Sequence, residues 1–340
     1  MSSKLLQFPI QTIKTSKPLS NFRQTTIILS SSFSIATQHQ LQLICYYTDE
    51  NPHTKSRIQC TLSSSSSSAK PPTTKEEAIL QARTSLSSAL EKPLNNPKLA
   101  GKIKKVKQPR FRVEIPVIDD APASLSQLAV QVFGEMPLRR KGSTIKILIL
   151  WPNKDSAQAA VNVFDSHSSS DILVQNIDMS SILDVDLRTA NSADVAVFLS
   201  PEVSQVAVMK RVTDSMYPKP VVIFNPKWGF EEEANLGEMK GFVGSFDVVY
   251  SFMGLEVRGI FSKRNGVVFK CVKNGISSGE NWYVLVEEDD GNLRVVTRFK
   301  SRPPISEVEN VLYNLMAINS PVTKSAKFLK DLVSNVTGKK

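Results

Sequence analysis

The sequence predicts an α/β protein. Its sheet is expected to be mostly parallel and Rossmann-like, covered by helices and extended by C-terminal antiparallel strands. Four near-continuous apolar runs, Ile145–Trp151, Asp171–Ile177, Asp194–Ser200 and Pro220–Asn225, start 26, 23 and 26 residues apart. Helical faces stand between them, and strands buried on both sides read as unbroken apolar runs. After residue 228 the pattern changes to short strands joined by Gly or Asn/Asp turns.

Each element follows from local signals. Thr74-Lys75-Glu76-Glu77 is a capping box ahead of Ala78, Ile79, Ala82, Leu86 and Ala89, which share one helix face. Pro93 and Pro97 are expected to stop that helix, and Phe111 to Val117 reads as a strand. Leu125, Leu128, Ala129, Val132 and Phe133 recur at i, i+3, i+4, i+7 and i+8, an amphipathic helix. Ala157, Ala160, Val161 and Phe164 form a helical face after the first apolar run, and 182–187 is a short helix after the second. Ser200-Pro201-Glu202 opens the next helix, with Ser as cap and Pro at the first position. Strands follow at Phe246–Phe252, Val267–Lys273, Trp282–Glu287 and Leu293–Phe299, with a hairpin turn at Asp289-Asp290-Gly291-Asn292. Ser306 and Glu309 cap a helix carrying Val308, Val311, Leu312 and Leu315, and Phe328, Leu329, Leu332, Val333 and Val336 form a last amphipathic face.

Residues 1–70 have a different composition. They hold 15 Ser and 8 Thr, seven bases and only two acids, Asp49 and Glu50. A Ser-rich, basic and acid-poor start is the composition of an organelle transit peptide. Leu5-Leu6 followed by Pro9 does not make a secretory apolar core. The hydroxyl excess favours the plastid over the mitochondrion; a disordered tail is the bland alternative. Arg57-Ile58-Gln59-Cys60 resembles a plastid processing site. The expected organisation is a chloroplast transit peptide over 1–60, a flexible Ser-rich linker over 61–72, one α/β domain over 73–320, and an amphipathic helix and tail over 321–340. No stretch approaches the ~18 consecutive apolar residues of a membrane span.

Without residues 1–70 the chain keeps 35 bases, 30 acids, one cysteine and one histidine. A structural zinc site needs about four ligands, so no metal site is expected. His167 lies in a polar loop, and strand alternation puts Cys271 on the face of Val267 and Phe269 as a small core residue. No glycine occurs from Ser143 to Trp228, a span of 86 residues. Backbone cradles for phosphate need glycine, so this removes a dinucleotide fingerprint and a P-loop together. No catalytic residue and no cofactor is expected. Asn153, Asp178, Asn225 and Lys227 stand at strand tips as a candidate polar pocket, against the competing reading of turn and cap chemistry. Asp184 and Asp186 read as a solvated connection.

The basic excess is local. Residues 98–112 carry seven bases and no acid, while the remainder of 71–340 has 28 bases and 30 acids. Lys102, Lys104, Lys105, Lys107, Arg110 and Arg112 are the candidate contacts for an anionic membrane surface or an acidic partner. Only Phe111 is interleaved, which argues against base stacking on RNA. Arg139-Arg140-Lys141 is a smaller basic cluster, and Glu231-Glu232-Glu233 with Glu238 an acidic one.

Several segments are shared with a known family. They are the 74–82 helix, Val195-Ala196-Val197-Phe198-Leu199-Ser200-Pro201, Val221-Val222-Ile223-Phe224-Asn225-Pro226, Leu255-Glu256-Val257-Arg258-Gly259, Trp282-Tyr283-Val284 and Arg302-Pro303. In this order they resemble the plant and cyanobacterial plastid DUF1995 family over about 73–305. Its plant members include the low photosystem II accumulation proteins, and the same domain extends a plastid adenylate kinase. The resemblance implies an auxiliary protein of photosystem II assembly that is not an enzyme. It would be stromal, peripherally associated with the thylakoid, and bind photosystem II core subunits and other assembly factors without nucleic acid. The resemblance supplies no catalytic residues; a shared site would use Asn225, Pro226, Trp228, Arg258, Trp282 and Arg302. The alternatives are a plastid enzyme of small-molecule or nucleotide metabolism and a plastid RNA-binding protein.

Overall fold

The computed structural model describes residues 11–12, 70–95, 107–116, 121–138, 140, 143–166, 172–183, 188–258, 263–273, 281–288 and 290–319. His167, Asp184, Asp186 and the expected helix around 328–336 lie outside them. Strands β2 (Arg110–Glu114), β3 (Ile145–Trp151), β4 (Ile172–Asp178), β5 (Val195–Leu199), β6 (Val221–Phe224), β7 (Asp247–Arg258), β8 (Lys263–Cys271), β9 (Trp282–Glu287) and β10 (Leu293–Phe299) form one sheet in the order β10-β9-β8-β7-β2-β6-β5-β3-β4. From β4 to β7 neighbours are parallel; β8, β9 and β10 continue antiparallel. A two-residue strand β1, Gln11–Thr12, lies within the expected leader and pairs in parallel with Leu255 and Glu256 of β7. The α/β class is as expected.

Helices α1 (Lys75–Asn95), α2 (Pro122–Ala129, continued by a π turn to Gly134) and α3 (Lys154–Asp165) cover one face of the sheet. Their apolar stripes meet Phe111, Val113, Ile147, Ile149, Val197 and Phe224, and Phe133 packs edge-on to Phe224 at 5.4 Å. Cys271 is buried on this face with Val267 and Phe269, as the alternation required. On the opposite face two separate clusters form. One packs α4 (Arg188–Ser192), α5 (Val206–Ser215) and α7 (Lys240–Val243) on β3, β5 and β6. The other packs α8 (Ile305–Asn319) on β7, β8 and β9.

Several boundaries differ from the sequence reading: β2 ends at Glu114, β7 runs on to Arg258, β8 spans Lys263–Cys271, and three helix ends differ for local reasons. Thr74 Oγ1 does accept from Glu77 N, but the Glu77 carboxylate reaches back to Thr73 N, at 2.8 Å, not to Thr74. That bond and burial compete at Glu77, and the bond holds its carboxyl below the ordinary value. Helix α1 runs through Pro93 to Asn95, because a proline in the last turn forfeits only one backbone bond. At the start of α5, Glu202 and not Ser200 is the cap: a turn over Val203–Gln205 precedes the helix, and Gln205 Oε1 accepts from Glu202 N at 2.9 Å.

Among the described glycines, two show clearly why no side chain stands there. Gly291 has φ +79° in the β9–β10 turn, where Gly291 N donates to Glu288 O. Gly266 of β8 faces α8 so closely that a Cβ would stand 3.0 Å from Leu312 Cδ1 and 3.2 Å from Leu285 O. Gly266→Ala is expected to cost about 1–3 kcal/mol in urea unfolding, because the carbonyl cannot move without breaking the β8–β9 ladder.

Candidate functional site

The strand order reverses between β3 and β5, where open α/β sheets bind ligands beyond their carboxyl ends. Here the chain occupies that crevice itself. Asn153 Oδ1 caps α3 by accepting from Ser156 N at 2.9 Å. Gln205 Nε2 bridges the crevice to Pro152 O at 2.7 Å. Asp178 accepts from the Ser180 hydroxyl, from Ser181 Oγ at 2.7 Å and from Ser181 N at 2.9 Å. Burial pushes the Asp178 carboxyl up, but these bonds outweigh it and hold it below the ordinary carboxylate value. Lys227 lies 3.7 Å from Glu202. Of the four residues expected to form a polar pocket, three are thus caps or surface pairs.

Asn225 is different. It follows β6 with φ +48°, and its sheet neighbour Ser200 follows β5 with φ +46°. Both are non-glycine and both precede proline, so each left-handed conformation costs roughly 1–2 kcal/mol. Hydrogen bonds lace the tips together: Ser200 N donates to Phe224 O at 2.7 Å and Lys227 N to Pro201 O at 2.9 Å. Asn225 also splices β6 to β2. Its N donates to Val113 O at 2.9 Å and its Oδ1 accepts from Ile115 N at 2.7 Å.

A charge network lies beside this tip. Alternation along β2 sends Phe111 and Val113 into the first cluster, and Arg110, Arg112 and Glu114 onto the opposite face, between its two apolar clusters. A bulge on β7 opposite Arg112 and Val113 brings Ser251 into line with Glu114. Arg112 pairs with Glu114 at 2.6 Å and with Glu233 of helix α6 (Phe230–Ala234) at 2.8 Å. Arg302, beyond β10, contacts Glu114 and Glu233 at 3.3 Å and lies 5.8 Å from the centre of the Trp282 ring. Ser251 Oγ donates to Glu114 at 2.5 Å. Two guanidiniums and two carboxylates balance. Burial pushes the Glu114 carboxyl up, yet Arg112, Arg302 and Ser251 hold it below its ordinary value. Burial likewise opposes the charge on Arg112, and Glu114 and Glu233 raise its pKa nonetheless.

These positions correct one expectation. Arg112, read as a surface contact, has a side chain only 2% exposed. Arg110 is half-buried, bonded to Ser245 Oγ at 2.9 Å and stacked near Phe242 and Phe246. Both alternate into the protein with the strand. Lys107 is exposed and 3.6 Å from Asp247; Lys102, Lys104 and Lys105 lie outside the described residues. Of the positions carried by the resemblance, Arg302 and Trp282 meet in the network, Trp228 is buried in the cluster under α5, and Asn225 and Pro226 form the tip. Arg258 ends β7, and its side chain is outside the description. Glu114 and Ser251 were not singled out by sequence; Glu233 stood there only in an acidic cluster and Ser200 as a helix cap. The available signal was charge at alternate positions, 110, 112 and 114, of a strand whose other residues are apolar.

The profile for the Domain of unknown function (DUF1995) matches residues 72–310. No curated protein matches the chain. A crystal structure of a KaiC-like protein from the hyperthermophilic archaeon Pyrococcus horikoshii overlaps 56% of this chain and 89% of its own, at 9% identity and a TM-score of 0.27. That likeness is too remote to bear on function.

Proposed function

The chain belongs to the DUF1995 family, and from that premise we propose that it is a chloroplast auxiliary protein assisting photosystem II assembly. It acts by binding core subunits at the stromal surface of the thylakoid, transiently capturing their exposed segments. The observation that favours binding over nucleotide chemistry is the state of the β3–β5 crevice. Asn153, Asp178 and Gln205 are committed there to the chain's own backbone, and no glycine is present to let a phosphate approach. The Ser/Thr-rich, acid-poor leader supports the plastid address.

Membrane contact falls to the lysines of the basic segment, since Arg110 and Arg112 are engaged inside. Each lysine near an anionic bilayer contributes ~1 kcal/mol. Changing Lys102, Lys104, Lys105 and Lys107 together to Gln is expected to lower retention on low-salt thylakoids at least tenfold, roughly, and to leave the unfolding midpoint unchanged. Retention as firm after a salt wash as before it contradicts the electrostatic contact. The assembly role is tested by co-purification from solubilised thylakoids: photosystem II core subunits are expected in the bound fraction, and their absence there removes the role.

A further inference from the structure

Strand β7 outruns its neighbour on one side. β8 pairs with it from Tyr250 to Arg258, while β2 pairs only from Asp247 to Ser251. β2 leaves the ladder after Glu114, and Pro116, which has no N–H to give, follows two residues later. The column that β2 vacates is taken up again by Gln11–Thr12, which pairs with Leu255 and Glu256 in the same parallel sense. Among the described residues no other strand pairs with that side of β7 beyond Ser251. The side chains of Leu255 and Glu256 are buried, 1% and 4% exposed, and Leu255 packs under α8. An incoming segment therefore meets β7 through its backbone edge and not through its side chains. The leader suits this by composition: residues 5–13 carry no charge, and Ile10, Thr12 and Ile13 are β-branched. The outer edge of the sheet at β10 is guarded against such pairing by Arg294, Arg298 and a bulge between Val295 and Thr297.

We infer that the length of β7 beyond β2 is a strand-addition site. Gln11–Thr12 fills it in the full chain, and an extended, uncharged segment of a partner protein fills it, parallel to β7, once the leader is gone. Strand addition takes its affinity from main-chain hydrogen bonds, so the site accepts segments of different sequence. The inference rests on the assembly reading above, in which exposed segments of core subunits are captured, and assigns that capture to one strand edge.

The test uses the full chain, the full chain with Gln11→Pro and Thr12→Pro, and a synthetic peptide of residues 7–16. The two prolines cannot donate to a ladder and lie outside the body of the sheet. The amide resonances of Leu255 and Glu256 are expected to move in the variant, and to return saturably to their positions in the unchanged chain as peptide is added. The unchanged chain is expected to need roughly tenfold more peptide, because its tethered leader competes at an effective concentration on the order of 1 mM. Successive residues of a strand point their N–H groups to opposite sides, so N-methylation of the peptide at one of Gln11 and Thr12 is expected to abolish the response and at the other to spare it. The site is overturned if the variant leaves both amides in place, if the peptide does not return them, or if both methylated peptides act like the plain one. A failed peptide with core subunits still co-purifying removes this site and keeps the assembly role; a saturable peptide response with no core subunit bound keeps the site and removes the role.

Discussion

Arg112→Ala is expected to destabilise the protein by about 3–5 kcal/mol, the range for removing one partner of a buried ion pair. The loss is read as a fall in the urea midpoint at unchanged slope. The cause is not the missing attraction itself. Glu114, with a side chain 6% exposed, would keep only the 3.3 Å contact to Arg302 and the Ser251 hydroxyl, and Glu233 would lose its 2.8 Å partner. The double change Arg112→Met with Glu114→Leu removes one charge of each sign and leaves the Arg302–Glu233 pair intact. It is expected to recover most of the loss, since a buried pair replaced by apolar side chains is often neutral in stability. If the double variant is as unstable as the two single losses added together, the sites are uncoupled and the network description is wrong.

The second large effect is on the acid limb of stability. Glu114 has its carboxyl held below the ordinary value in the folded protein. A group depressed on folding contributes stability that is fully present above its unfolded pKa, about 4.3 for glutamate. That contribution is lost as pH falls through the lower, folded value. Stability is therefore expected to decline on acidification from about pH 5 downward. Glu114→Gln keeps a carbonyl acceptor for Ser251 but removes the charge between two guanidiniums. At pH 7 it is expected to cost about 3 kcal/mol, and below about pH 4 the gap to the unchanged protein should narrow. Denaturation curves at pH 7, 5 and 3.5 decide it; a gap that is constant across these values contradicts the assignment.

The sheet was legible because β3, β4, β5 and β6 are written as apolar runs and the longer helices between them as periodic faces. Trp282–Glu287 and Leu293–Phe299 match β9 and β10 residue for residue, since turn residues bound them closely. The place of β2 was not legible. It precedes β3 in sequence yet inserts between β6 and β7, and the partners that neutralise its Arg112 lie up to 121 residues away. A run of bases therefore read as a surface. The tip of β6 was half legible: Asn225-Pro226 marked a turn, but its left-handed backbone and its bond to Ile115 depend on a strand pairing that local signals do not encode. Asn153 and Asp178 were correctly weighed as possible caps, because capping is a local interaction.

The neutral seam along β2 also divides the protein's stability. On that face the apolar cluster under α5 and the one under α8 do not merge. The antiparallel wing joins the parallel body through the β7 backbone, the Arg302 contacts and, on the other face, the single cluster under α1 that takes in Phe269 and Leu285. An opening of β9, β10 and α8 as one unit would have to break the Arg302 contacts to Glu114 and Glu233 and also pull Leu285 out of the cluster under α1 that β3, β5 and β6 share.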